Sequence, residues 1–170
     1  MSVETVPFGA FPRALWDRLG GFDESLAANQ DFDFNYRARA AGVEVVLDRR
    51  IKATYVARAT LGALWRQYFR YGFWKLQMLR KDARAIHWRQ VPPMLVLPWV
   101  VMTLVAAVLW PSVATALAAG LYPVVLVLGA LHLASRGAGV GPAIAALTTV
   151  HLGWSAGFWR GAFGGPPPSR

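Results

Sequence analysis

Cysteine is absent from this chain of 170 residues, which excludes a disulfide framework and thiolate chemistry. Acidic residues are few and stop early, since all nine lie before residue 90. Charge of either sign is missing from residues 91–135, and again from 137–159. Uncharged runs of that length suit a membrane interior, where a span takes ~20 residues, so two spans are expected in the first run and one in the second. The opening residues show no basic stretch followed by an apolar core, so no signal peptide is expected. The excess of positive charge, +9 in all, comes with no nucleic-acid motif, and no nucleic-acid partner is expected.

The charge that is present is unevenly placed. Residues 1–60 carry eight basic and eight acidic residues, whereas 61–90 carry seven basic residues against Asp82 alone. A basic cluster next to a span marks the cytoplasmic side and faces anionic headgroups. The chain therefore reads as four parts: 1–60 polar, 61–90 a helix with a basic flank, 91–160 three spans, and 161–170 a disordered tail. This places the polar part on the cytoplasmic face of the plasma membrane, in a multi-pass protein. Membrane lipids are its expected neighbours.

In the polar part, residues 3–11 read as a short strand and turn, punctuated by Pro7 and Gly9. A helix is expected to begin at Pro12 and end at Gly20. Asn29 is placed to cap a second helix, 30–41, ended by Gly42. Residues 43–48 and 52–56, rich in β-branched side chains, read as two strands. Thr60 is a suitable cap for a helix over 61–80. On it Leu61, Trp65, Phe69 and Phe73 form one stripe, while Gln67, Arg70, Tyr71 and Trp74 share another face. That helix suits either a membrane interface or a packed core with a solvated basic side. Gly153, Gly157 and Gly161 recur every four residues, a spacing that permits close helix contact. His132 and His151 are ionisable side chains within the apolar runs, a placement that suits either a functional group or a neutral imidazole bonded to a neighbouring helix.

The densest polar stretch runs from Gly20 to Arg37 and holds four of the nine acidic residues. Asp31 and Asp33 fall in the first turn of the second helix, where carboxylates complement the helix dipole. Residues two apart on a helix do not face each other, so the two are not a matched acid–base pair.

Three segments together carry a resemblance. Gly9-Ala10-Phe11, then Gly20-Gly21-Phe22-Asp23-Glu24, then Asn29-Gln30-Asp31-Phe32-Asp33-Phe34-Asn35-Tyr36-Arg37 with Gly42 resemble the acceptor half of a family 2 glycosyltransferase of the succinoglycan, exopolysaccharide-building type. The resemblance implies an α+β fragment of a GT-A α/β domain followed by a transmembrane bundle of about three helices. It implies an inverting enzyme that moves a sugar from a nucleotide-diphosphate donor to a lipid-linked or growing glycan. Asp31 falls on the family's catalytic base, which takes the proton of the attacking hydroxyl. Asp33 falls on a structural or acceptor-binding position. Gln30 stands where many members carry Glu. Gln67-Tyr68-Phe69-Arg70-Tyr71 is similar to the family's Gln-x-x-Arg-Trp element, which implies that Gln67 and Arg70 meet the donor diphosphate. Tyr71 or Trp74 would stack on a sugar ring.

Asp31-Phe32-Asp33 also spells the metal-binding DxD of such enzymes. In the family that motif follows an apolar strand in the nucleotide-binding half, so no metal and no other cofactor is assigned to this chain. A divalent metal, magnesium or manganese, is expected of the full-length enzyme. The nucleotide-binding half is missing from this sequence and is expected either upstream or as a separate chain acting in trans. The alternatives are an inactive remnant and a non-enzymatic, membrane-anchored interaction protein.

Overall fold

The computed structural model describes residues 1–6, 9–165 and 167–168. It is 66% helical and essentially without strands, which corrects the expected α+β fragment of a GT-A domain. The one β-pairing among the described residues is an antiparallel bridge between Ser2 and Val46. There the Val3 N–H donates to the Val45 carbonyl and the Leu47 N–H to the Met1 carbonyl, both at 2.9 Å. The strands expected at 43–48 and 52–56 form no sheet, and of the strand expected at 3–11 only this bridge at its start is seen. The physical reason lies in what β-branched composition encodes, a fit to a pleated, half-buried surface. A sheet needs three or more strands over an apolar face to stand, and the described residues do not assemble that many. Positions 7 and 8, including the punctuation expected at Pro7, lie outside the described residues.

The helices are α1 (Arg13–Leu19), α2 (Gln30–Ala40), α3 (Leu61–Lys81), α4 (Val91–Leu109), α5 (Val113–Ala134) and α6 (Val140–Ala162), with 3-10 turns at Ala83–Ala85 and Trp88–Gln90. They divide between two compact units. The first is made of residues 1–57 and 74–86, the second of 58–73 and 87–170.

In the first unit, α1 ends at Gly20 in the left-handed conformation (φ 73°), as its sequence position implied. Gly21 is left-handed too, and a Cβ there would lie 2.6 Å from the Trp16 ring. This double turn folds Phe22 back onto α1. Phe11, Trp16, Phe22 and Phe34 then form one aromatic cluster, with ring centroids 4.6–6.2 Å apart. Phe34, Leu26 and Ala38 are buried in this core. Burying Phe34 contributes ~2–3 kcal/mol, and the half-covered rings of Phe11 and Trp16 less.

The second unit is a helical assembly in which α4, α5 and α6 all pack against one another. Pro98 in α4 has no N–H, so the Met94 carbonyl loses its helical donor. Two side chains of α6 replace it: Ser155 Oγ donates to the Met94 carbonyl at 3.0 Å and Trp159 Nε1 at 2.8 Å. Ser155 Oγ also accepts the Leu97 N–H at 3.0 Å. The first part of α3 lies on α6 at backbone contact, because a Cβ on Gly157 would collide with the Phe69 carbonyl and one on Gly72 with the Trp154 carbonyl. Trp65 rests on Gly153. The glycine spacing on α6 is therefore used for packing, and α3 answers with a glycine of its own.

Segments 88–109 and 113–134 are long and apolar enough to cross a membrane, with mean hydropathy 2.1 and 2.0, and only 11% of the most apolar 18 residues of each is buried. α6 is as long but is not one of the two, since it carries His151, Arg160 and several glycines. It also extends to Ala162, so the tail expected from 161 begins inside a helix. Residues 166, 169 and 170 lie outside the described residues.

Candidate functional site

The acidic stretch lies in the first unit. α2 begins after Asn29, which adopts the left-handed conformation (φ 66°) and makes no side-chain capping bond to the helix. The cap expected of Asn29 is thus supplied locally by Asp31, whose Oδ1 accepts the Phe32 N–H at 2.8 Å. A carboxylate suits the free N–H groups of a first turn. The Asp31 side chain is exposed.

Asp33 is placed quite differently. It is 8% exposed, and its Oδ2 accepts from Arg37 at 2.8 Å one helical turn on. The same guanidinium donates to the Leu19 carbonyl at 2.6 Å and to the Gly21 carbonyl at 2.8 Å. These are carbonyls at the C-terminal end of α1, where a cation is favoured. The Asp33–Arg37 pair therefore braces α2 against the glycine turn.

Around Asp33 lies a cavity of about 220 Å³, lined by Asp23, Asp33, Tyr36, Arg37, Met78, Lys81, Asp82 and Ala85. Its ionic groups are engaged with one another. Lys81 bonds Asp23 and, at 2.5 Å, Ser25 Oγ. The Lys81 ammonium, followed by Ser25, holds the Asp23 carboxyl down at about 2. Tyr36 OH donates to Asp82 Oδ2 at 2.7 Å. The Arg84 side chain first, then Tyr36, lowers Asp82 to about 2, and Asp82 in turn raises the Tyr36 phenol. Asp31 does not line this cavity. The two aspartates thus point to different surroundings, and with Asp33 closed on a guanidinium the Asp-Phe-Asp pair does not fit a divalent cation.

One buried cation was not legible from the sequence. Lys75 is 3% exposed. Its Nζ donates to the Ala85 carbonyl at 3.0 Å, touches Met78 Sδ at 3.9 Å and stands 3.8 Å from the centroid of the Phe32 ring. Burial lowers its ammonium to about 8. Only its neighbours Phe73, Trp74, Leu76 and Met78 hint that this lysine sits on a covered face.

Trp74 also belongs to the first unit and is half-buried, whereas Gln67, Arg70 and Tyr71 belong to the second. In that unit Gln67 accepts from Arg58 Nε at 2.8 Å and donates to Tyr71 OH at 2.9 Å. Tyr71 meets Tyr68 edge-on, with centroids 5.6 Å apart. Arg70 is half-buried. Gln67 and Tyr71 are thus brought together as one hydrogen-bonded pair on the face opposite the Trp65–Phe69 stripe.

No family model matches the chain, and no solved structure matches it. It is 35% identical over 147 residues to succinoglycan biosynthesis protein ExoA of Rhizobium meliloti (strain 1021), a match covering 84% of this chain and 43% of that protein. The chain spans less than half the length of this curated relative and corresponds to its C-terminal part. The resemblance to the succinoglycan type, read from the three segments of residues 9–42, is borne out by this match.

Proposed function

We propose that this chain is the acceptor-side and membrane portion of an inverting family 2 glycosyltransferase of exopolysaccharide biosynthesis. The match to the C-terminal part of a succinoglycan biosynthesis protein carries the proposal. In this reading Asp31 is the general base. One carboxylate oxygen is held by the Phe32 amide, and the other takes the proton of the acceptor hydroxyl as its oxygen attacks the donor's anomeric carbon and the nucleotide diphosphate leaves. The exposure of Asp31 suits a group that must meet a substrate, and the Asp33–Arg37 brace suits one that must stay in place while doing so.

Arg70, supported by Gln67, meets the donor diphosphate, where a guanidinium matches phosphate oxygens in geometry and charge. Tyr71 and Trp74 offer ring faces to sugars. The donor's nucleotide site, and the divalent metal such a donor calls for, belong to the half that this chain does not match. α4 and α5 cross the cytoplasmic membrane and α6 accompanies them, with the polar part on the cytoplasmic side, where a lipid-linked acceptor is presented.

The test is complementation. The chain is co-expressed with the N-terminal part of the Rhizobium meliloti protein in a strain lacking that protein, and succinoglycan is measured. Restored polymer that requires both parts supports the transferase. Absence of polymer, with both parts expressed and membrane-bound, favours the inactive remnant or the membrane-anchored interaction protein.

A further inference from the structure

Lys75 is an ammonium taken out of water with no carboxylate paired to it among the described residues. Desolvating a charge costs several kcal/mol unless something nearby compensates it. Among the described residues, three groups touch the Lys75 Nζ: the Ala85 carbonyl at 3.0 Å, the Met78 thioether at 3.9 Å and the face of Phe32, 3.8 Å from its centroid. Among them only Phe32 belongs to α2, and its place there is particular. It stands between Asp31 and Asp33, and its backbone N–H is the donor that holds Asp31 Oδ1. The residue whose ring the lysine grips is thus the residue whose amide orients the Asp31 carboxylate.

The other ties on α2 lie elsewhere on the helix. Asn35 donates to Thr5 Oγ1 and the Val6 carbonyl, Tyr36 reaches Asp82, and Arg37 reaches the carbonyls of Leu19 and Gly21. Arg37 also holds Asp33 at the end of the first turn, but none of these bonds involves Phe32. The far end of the Lys75 contact is anchored too, because Ala85 follows Asp82 in the 3-10 turn that receives Tyr36.

We propose that Lys75 is a positioning residue for Asp31, its ammonium clamped between the Phe32 ring and the Ala85 carbonyl so that the first turn of α2 is held at one rotation. The functional consequence rests on Asp31 being the base; the clamp itself does not. The clamp requires charge, since a cation over a ring is held by the ring's quadrupole. Space-filling requires none, so a methionine of similar length would serve a purely structural role equally well.

The experiment measures amide hydrogen exchange at Asp33 and Phe34 in the full chain held in lipid nanodiscs. Lys75→Met is expected to speed exchange there about tenfold, Lys75→Arg to leave it near the parent rate, and Phe32→Leu to match Lys75→Met. The double variant Lys75→Met/Phe32→Leu is expected to go no faster than either single one. Parent-like exchange in Lys75→Met overturns the proposal, as does equal acceleration in Lys75→Arg, or additive effects in the double variant. Should Lys75→Met also lose protection over residues 36–40, Phe32→Leu decides, because it leaves the lysine in place: parent-like exchange in that variant overturns the clamp. None of these readouts depends on sugar transfer, so a failed clamp and a failed base assignment are told apart.

Discussion

Arg37 closes on Asp33 at 2.8 Å across one turn of α2, and the same guanidinium reaches the Leu19 and Gly21 carbonyls. Asp31, two residues earlier, has no such partner and is exposed. One acidic motif therefore contains a buried brace and an exposed carboxylate held only by the Phe32 amide among the described residues, and the two respond differently to substitution.

Asp31→Asn is expected to abolish sugar transfer in the complemented enzyme while changing stability by no more than about 0.5 kcal/mol, as for exposed surface positions. The amide oxygen still accepts the Phe32 N–H, but it takes no proton from a hydroxyl. Polymer yield and denaturant midpoint, measured on the same preparations, check both halves; normal yield removes Asp31 from the chemistry.

Arg37→Ala is expected to destabilise the first unit by about 3 kcal/mol, since it strands a mostly buried carboxylate and two carbonyls. Asp33→Asn leaves a neutral acceptor and costs less, about 1 kcal/mol. Limited proteolysis at the 20–29 turn reports the order of the two effects. Equal costs would show that the ion pair, not the carbonyl bonds, holds the brace.

Two groups make stability rise with pH, in two separate windows. Asp23 is lowered from 3.8 to about 2 in the fold, so its contribution is complete above about pH 4 and is lost as pH falls through 2. Lys75 is lowered from 10.5 to about 8. Between these values the unfolded chain binds the extra proton, so stability rises with pH across that window, by at most about 3 kcal/mol. Unfolding free energies of the parent and Lys75→Met, followed from pH 7 to 10.5, should diverge in slope; parallel curves would show that Lys75 does not titrate in this range.

Ser155→Ala removes the side-chain acceptor of the Leu97 N–H and leaves the Met94 carbonyl with the Trp159 side chain alone, at a cost of about 1 kcal/mol. Pro98→Ala returns a helical donor to Met94. The serine should therefore matter less in the Pro98→Ala background, and thermal unfolding of the four variants gives the coupling. Strict additivity would sever the link between proline and serine.

Gly157→Ala drives a methyl into the Phe69 carbonyl, and separating α3 from α6 is expected to cost about 1–3 kcal/mol. Gly141→Ala, on the same helix with open space around it, should be neutral or slightly stabilising. Comparable losses at both positions would deny the close contact any special weight.

Much of this was readable in the residues. The start of α3 follows from Thr60, and α1 and α2 stop at Gly20 and Gly42, because caps and left-handed turns are local events; α2 starts where Asn29 implied, although Asp31 and not Asn29 bonds its first turn. That α4 and α5 are long apolar helices follows from the uncharged run of residues 91–135. The strands at 43–48 and 52–56 were not readable, since β-branched side chains state a preference that only a paired neighbour fulfils. Gly72 has no repeat in its own helix, so its reason lies on α6. Lys75 is in sequence one more basic residue of 61–90, and only the fold sets it over the Phe32 ring.

Taken alone, the sequence determined the apolar runs, the helix boundaries and the segment order that ties residues 9–42 to a succinoglycan biosynthesis protein. These depend on composition and on neighbours a few positions away. The tertiary structure alone decided which aspartate is buried, which lysine loses its water and which carbonyl of α4 is answered by α6. Those outcomes are set by desolvation and by bonds between residues tens of positions apart, such as Lys81 with Asp23 or Ser155 with Met94, and such distances leave no periodic trace in the chain.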